Sequence, residues 1–260
     1  MAEPIDQARR AAIDIVLSDV DGCLISEHAD ALDLPRLLHV AEQNRLAIEQ
    51  QDRPRLTLCT GRPQPFAECM TRLLGNLELP IICENGVYLY YPGDNHYDMD
   101  PAITDTHLAA MAEARAWTMQ RFANTGLALQ PGKMASFSPY HDSPTALDPM
   151  MPVIAEEAEK RGWPIRISRS WNYINCDLKH ISKATGITRF FEATGFTREQ
   201  AAGIGDTMGD LAIRESVNWF ACPANADPTL KKSADFVSSA ALTQGVLEIL
   251  ERLTDSRSTQ

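Results

Sequence analysis

No stretch of this 260-residue chain is apolar for long enough to cross a bilayer, and none of its cysteines falls in a C-x-x-C pair or at zinc-binding spacing. The six cysteines (Cys23, Cys59, Cys69, Cys83, Cys176 and Cys222) are scattered, mostly inside apolar runs, which predicts buried free thiols. Basic residues are in deficit, with 24 Lys and Arg against 35 Asp and Glu and a formal net charge of -11. A broad nucleic-acid or anionic-membrane surface is thereby excluded, and an anionic substrate needs local positive charge or a metal. Internal repeats and low-complexity segments are also missing. Residues 1–12 carry Glu3, Asp6, Arg9 and Arg10 ahead of a short apolar stretch broken by Asp14, which is neither a signal peptide nor a membrane span. A reducing cytoplasm is the expected compartment, and the polar tail 254–260 is expected to fray.

What is present is an ordinary globular composition, 44% hydrophobic and 23% charged, on a chain long enough for two domains or for one domain with an insertion. Apolar runs at 13–17, 55–60 and 79–83 alternate with helical patterns at 34–50 and 63–74, a parallel α/β beginning. Asn85-Gly86 followed by 87–91 reads as a turn and a strand. The middle changes character: helices at 104–123 and 148–161, an alternating segment at 127–138, and neighbouring antiparallel strands at 163–167 and 171–175. From 181 the earlier style returns, with a helix to 194, a strand at 201–205, a helix start at Gly209, a strand at 219–222 and a last helix at 244–253. An α+β module is inserted in an α/β domain.

Four constellations carry chemistry. Asp19 and Asp21, followed by Gly22, stand at the end of the first strand and share one side of it, so their charges repel unless a cation or a proton lies between them. Thr60-Gly61-Arg62 ends the second strand and offers a hydroxyl, free N–H groups and a helix start, a setting that suits a phosphate oxyanion, although on the motif alone Thr60 reads first as a plain helix cap. Lys183 opens a helix where the α/β style resumes and is able to offset charge on a phosphoryl group, or simply to be solvated. Asp206 and Asp210, among glycines after another apolar strand, could complete an all-oxygen Mg²⁺ site or cap a loop.

Taken in order, Asp19-Val-Asp21-Gly, Thr60-Gly-Arg, Lys183 and Gly205-Asp206-Thr-Met-Gly-Asp210 resemble the four motifs of the haloacid dehalogenase-like phosphohydrolases. Glu84-Asn85-Gly86 and the segment 222–237 resemble the branch with a type C2 cap, which includes Cof-like, sucrose-phosphate and mannosyl-3-phosphoglycerate phosphatases. That resemblance implies a Rossmann-like parallel-sheet core (1–91 and 177–260) with an inserted α+β cap (92–176). It makes Asp19 the nucleophile and Asp21 the acid/base, with Thr60 and Lys183 on the phosphoryl oxygens. Mg²⁺ would be held by Asp19, the backbone carbonyl of Asp21 and Asp206, with Asp210 in or just behind the shell. Gly22, Gly61, Arg62, Asn85 and the cap residue Lys133 would surround the substrate, a small phosphorylated metabolite such as a sugar phosphate or a phosphorylated carboxylic acid. A phosphomutase and a dormant metabolite-binding regulator are the alternatives. Family members that cleave carbon–halogen bonds lack the second aspartate, so Asp21 favours a phosphate ester. Cys23 stands where the family usually has threonine, which implies slower chemistry at most; Lys179 is a rival to Lys183. In the cap, Lys133, Arg166, Arg169 and Asn172 read either as substrate contacts or as solvated positions, and Trp171 and Tyr173 either stack on a sugar or pack on the cap's helices.

Overall fold

The fold of the protein is given by a computed structural model that describes residues 2–28 and 30–258. Its elements are α1 (Ala2–Ala11), β1 (Ile15–Ser18), α2 (Leu34–Gln50), β2 (Arg55–Leu58), α3 (Gln64–Leu73), β3 (Ile81–Cys83), β4 (Tyr88–Tyr91), β5 (His96–Met99), α4 (Asp105–Arg121), β6 (Ala128–Leu129), β7 (Pro139–Tyr140), α5 (Met150–Arg161), β8 (Ile165–Ser170), β9 (Tyr173–Leu178), α6 (Lys183–Thr194), β10 (Ala201–Ile204), α7 (Leu211–Ser216), β11 (Trp219–Cys222), α8 (Pro228–Lys231), β12 (Phe236–Val237) and α9 (Leu242–Ser258).

β1 is apolar on both sides because it is covered on both sides, as strands of parallel sheets usually are. Ile15 and Leu17 pack with Ile187, Phe190, Ile213 and Phe220 from the α6–α7 face, whereas Val16 belongs with Leu37, Val40, Val246 and Leu250 from α2 and α9. The all-parallel sheet runs β12-β11-β10-β1-β2. Three strands therefore end side by side at one edge of the sheet: β1 before Asp19, β2 before Thr60 and β10 before Asp206. This edge of an open α/β sheet is where ligands bind.

Several expectations are corrected. The run 79–83 does not extend the parallel sheet: β3 touches it through a single parallel bridge, Cys59 to Ile82, and pairs antiparallel with β4, which pairs with β5. The middle of the chain forms a second antiparallel sheet, β6-β7-β9-β8, in which β8 and β9 begin two residues later than expected. The tail is not frayed through 254–258: α9 continues to Ser258, held by the Ser256 hydroxyl on Leu253 O and by Arg257 on Ile13 O and the Asp14 carboxylate. Residues 259–260 lie outside the described residues. All six cysteines are free, and five are buried; Cys69 is exposed. Among the described residues no helix is long and apolar enough to cross a membrane.

Candidate active site

A cavity of about 460 Å³ lies between the strand-end edge of the core and the β8–β9 hairpin. Its core side is lined by Asp19, Asp21, Gly61, Arg62, Asn85 and Lys183. Lys183 is the first residue of α6, whose start is fixed by Ser182 accepting the Thr185 N–H. From there its ammonium reaches Asp19 Oδ2 at 3.0 Å and Asp210 Oδ1 at 2.6 Å. The rival, Lys179, is exposed and outside the cavity.

Asp19, Asp206 and Asp210 are all buried, with one oxygen from each lying within 4.8 Å of the others. They do not share the work equally. Both oxygens of Asp210 are committed, Oδ1 to Lys183 and Oδ2 to the N–H groups of Asp206 and Thr207 at 3.0 Å each. Asp206 Oδ1 is buried with no hydrogen-bond partner. Burial, and then repulsion from Asp210, pushes the Asp19 carboxyl up to about 7 against the pull of Lys183. Burial and the charges of Asp19 and Asp210 push Asp206 up to about 9. Burial alone would lower Lys183, but Asp19 and Asp210 hold it well above its ordinary value. Three carboxylates around one ammonium leave two negative charges uncompensated when all are ionised, and the donors are all oxygen, so the cluster fits a hard divalent cation. Gly22 completes the packing with φ +73°, and a Cβ built there would stand 1.9 Å from Asp206 Oδ2. Gly22 thus lies beneath the acids and does not line the cavity.

Asp21 points elsewhere. Arg62 grips it with two prongs, Nε to Oδ2 at 2.7 Å and Nη2 to Oδ1 at 2.5 Å, while the Arg62 guanidinium lies over the Phe66 ring. Thr60 is fully buried and does not cap α3, whose N-cap is Pro63; its hydroxyl accepts the Arg62 N–H at 3.1 Å. Asn85 donates to both oxygens of Asp177, one of the residues on the cap side.

On the cap side, one whole face of the β8–β9 hairpin lines the cavity: the cross-strand pairs Arg166 with Asp177, Ser168 with Asn175, and Ser170 with Tyr173. Every one of these six side chains is polar, and the alternate positions Ile165, Ile167, Ile174, Cys176 and Leu178 turn into the cap's core. Lys133 is not solvated; it is 6% exposed, lines the cavity and donates to Ser138 Oγ at 2.7 Å. Arg169, though part of the lining, is tied to Asp148 and Pro144 O, and Asn172 to the carbonyls of His141 and Asp142. Trp171 stands at the cavity, its ring edge against His28, and Tyr173 packs on Tyr140. Cys23 is buried, its thiol raised by burial and by Asp206 and Asp19.

One acid escaped the sequence reading, and the place of a second in the site was not read from it. Glu27 lines the cavity, with Oε2 buried and unpartnered, and burial together with the Asp21 and Asp19 charges pushes its carboxyl up to about 8. Glu84, quoted in the sequence only as part of a family-like Glu-Asn-Gly run and given no role, is fully enclosed by a loop fifty residues further on. Glu27 follows the catalytic-looking loop by six residues with no motif to mark it, and the partners of Glu84 are distant in sequence.

A parallel-sheet core whose strand ends gather acids and a lysine, roofed by an antiparallel insert, defines a capped α/β architecture with its candidate site between the two layers. A family model described as haloacid dehalogenase-like hydrolase matches residues 133–250. A phosphoglycolate phosphatase of Methanothermobacter thermautotrophicus is 28% identical over 90% of this chain and 96% of its own length. Among solved structures, a putative HAD/COF-like hydrolase from Plasmodium vivax superposes with a TM-score of 0.74 at 16% identity, covering 96% of this chain and 97% of its own. The sucrose-phosphatase of Synechocystis, solved with sucrose and phosphate, gives 0.61 at 17% identity, covering 92% and 97%. Over residues 133–250 the chain is similar to the haloacid dehalogenase-like hydrolases, and along nearly its whole length it shares the fold of these solved neighbours.

Proposed function

We propose that this protein is a Mg²⁺-dependent phosphatase that hydrolyses a small phosphorylated metabolite through an aspartyl-phosphate on Asp19. The observation that carries this reading is the Asp19 carboxylate 3.0 Å from the Lys183 ammonium at the cavity floor, with Asp21 two residues along. A carboxylate oxygen of Asp19 attacks phosphorus, the bond to the ester oxygen breaks, and that oxygen takes the bond's electrons and a proton from Asp21. Water, giving its proton to Asp21, then attacks the acyl phosphate, releasing inorganic phosphate and restoring Asp19. Lys183 holds the phosphoryl oxygens in place. Arg62 orients Asp21 by both oxygens, so proton delivery requires one prong to let go. Asp19, Asp206 and the Asp21 backbone carbonyl would hold Mg²⁺, while Asp210 keeps Lys183 and the 206–207 backbone in position. The bound ion supplies positive charge against the transferring group.

The cap side supports a sugar phosphate. Ser168, Ser170, Tyr173 and Asn175 offer neutral hydrogen bonds suited to hydroxyls, and a cavity of about 460 Å³ exceeds the need of a two-carbon acid. Lys133 and Arg166, together with the name of the Methanothermobacter thermautotrophicus relative, a phosphoglycolate phosphatase, favour a phosphorylated carboxylic acid as the second reading. We place the cap at 92–176 between core segments 1–91 and 177–260, with the end of β9, Asp177 and Leu178, as the junction that still pairs with the cap strand β8, and the free thiols support a reducing compartment such as the cytoplasm. The test is inorganic phosphate release from p-nitrophenyl phosphate and a panel of sugar phosphates and phosphorylated acids with Mg²⁺. No release from any of them would overturn the reading, and isomerised product from a bisphosphorylated sugar without free phosphate would make it a mutase.

A further inference from the structure

We propose that Glu84 is a positioning residue whose carboxylate fastens the cap loop 133–136 to the core and so sets Lys133 at the substrate. What Lys133 does there rests on the phosphatase reading; the fastening rests on geometry alone. Glu84 is 1% exposed, and its Oε1 accepts the N–H groups of Ala135 at 3.0 Å and Ser136 at 2.8 Å and the Ser136 hydroxyl at 2.7 Å. The Met134 N–H reaches both of its oxygens, at 2.9 and 3.1 Å. A buried anion that loses such donors is left without solvation, so the loop cannot lift away from Glu84 cheaply.

The turn that carries Glu84 belongs firmly to the core. Its N–H donates to Arg62 O at 2.9 Å and that of Asn85 to Thr60 O at 3.0 Å, and a Cβ at Gly86 would stand 2.3 Å from the carbonyl of Ser182, the residue before Lys183. Glu84 and Asn85 both hold left-handed backbone, at φ 51° and 56°, a conformation retained where surrounding contacts enforce it. One turn therefore touches the Thr60 loop, the start of the Lys183 helix and the cap loop. Lys133 immediately precedes the gripped residues, and its Nζ is held by Ser138, whose hydroxyl donates to Asn175 Oδ1 at 2.9 Å. Lys133 is thus carried by the cap sequence but referenced to the core.

Glu84→Gln keeps the shape but turns an NH₂ toward backbone donors. In the full chain, hydrogen exchange over 134–136 should quicken at least tenfold while α4 and α5 are unchanged; unchanged exchange overturns the proposal. With glucose 6-phosphate, kcat/KM should fall at least tenfold, chiefly through KM, and at least fivefold more than with acetyl phosphate, whose acetyl group is too small to reach the cap. Glu84→Gln combined with Lys133→Met should be no worse than Lys133→Met alone. An equal loss on both substrates, or additive losses, would reduce Glu84 to a structural role. Should Glu84→Gln not fold, Ser136→Ala removes one donor and should speed exchange at 134–136 by a smaller factor; no change overturns the fastening. A wild-type protein inert toward these two substrates and the whole panel above would strike the phosphatase reading, while the exchange result would still decide the fastening.

Discussion

On the core side of the cavity, acids from the ends of adjacent strands are crowded, buried and in part unpaired; on the cap side, a hairpin presents neutral hydrogen-bonding groups and one Arg166–Asp177 pair on one face and mainly aliphatic groups on the other. The core wall stores electrostatic tension that only a cation, a proton or a lysine relieves. The cap wall stores less: Asp177 lies opposite Arg166 and receives the Asn85 amide, and the strained charge there is Lys133, whose ammonium burial pulls below its ordinary value. Under the proposed phosphatase reading, chemistry and choice are separated by wall. Changes on the floor should stop turnover whatever the substrate, and changes on the roof should re-rank substrates with the chemistry intact.

The sharpest way to break that division is Asp19→Asn, which preserves shape and should lower phosphate release by about 10³-fold or more on every substrate; substantial residual activity would end the nucleophile assignment. Next is removal of the metal. Chelation should abolish activity, and Mg²⁺ at 100 times its Kd should return about 2.7 kcal/mol of stability, with each kcal/mol worth about 2–4 °C in Tm for a protein of this size. An unchanged Tm would show that the acid cluster holds no ion.

A smaller effect concerns pH. Because the folded-state values of Asp19 and Asp206 are raised, to about 7 and about 9, their contribution to the stability of the metal-free protein is present below the unfolded carboxyl range and is lost as pH rises through those values. Metal-free Asp206→Asn should therefore melt above wild type at pH 8 and close to it at pH 5. Equal differences at both pH values would contradict the crowding. The smallest effect is on the roof: Asn175→Ala should raise KM for a hydroxyl-bearing substrate about fivefold, the worth of roughly one hydrogen bond, with kcat little changed. A loss in kcat as large as that in KM would mean that the roof takes part in the chemistry.

How much could be read beforehand follows the same division. β1 was legible because an uninterrupted apolar run must be covered on both faces, and the acids at its end stood out against it. Lys183 was legible by position at the return of the α/β pattern. β5 was not, since its residues His96–Met99 are largely exposed on a sheet edge and lack apolar alternation. The helical tail was missed because its polar side chains are held by distant partners in the segment 13–14. Glu27, and the contacts of Glu84, were missed for a related reason: a carboxylate announces no partners until the fold brings charges or N–H groups to it.

The four tryptophans make an optical consequence of the cap's placement. Trp219 is wholly buried in the core, and Trp117 and Trp163 pack edge to face within the cap. Trp171, 52% exposed at the cavity mouth with its ring against His28, is the one placed in water. Its emission should be the reddest of the four and the most sensitive to a neighbouring imidazole, so a change in fluorescence on adding a ligand reports the distance between the loop after β1 and the hairpin above it. The protein carries a built-in gauge of how far its two walls stand apart.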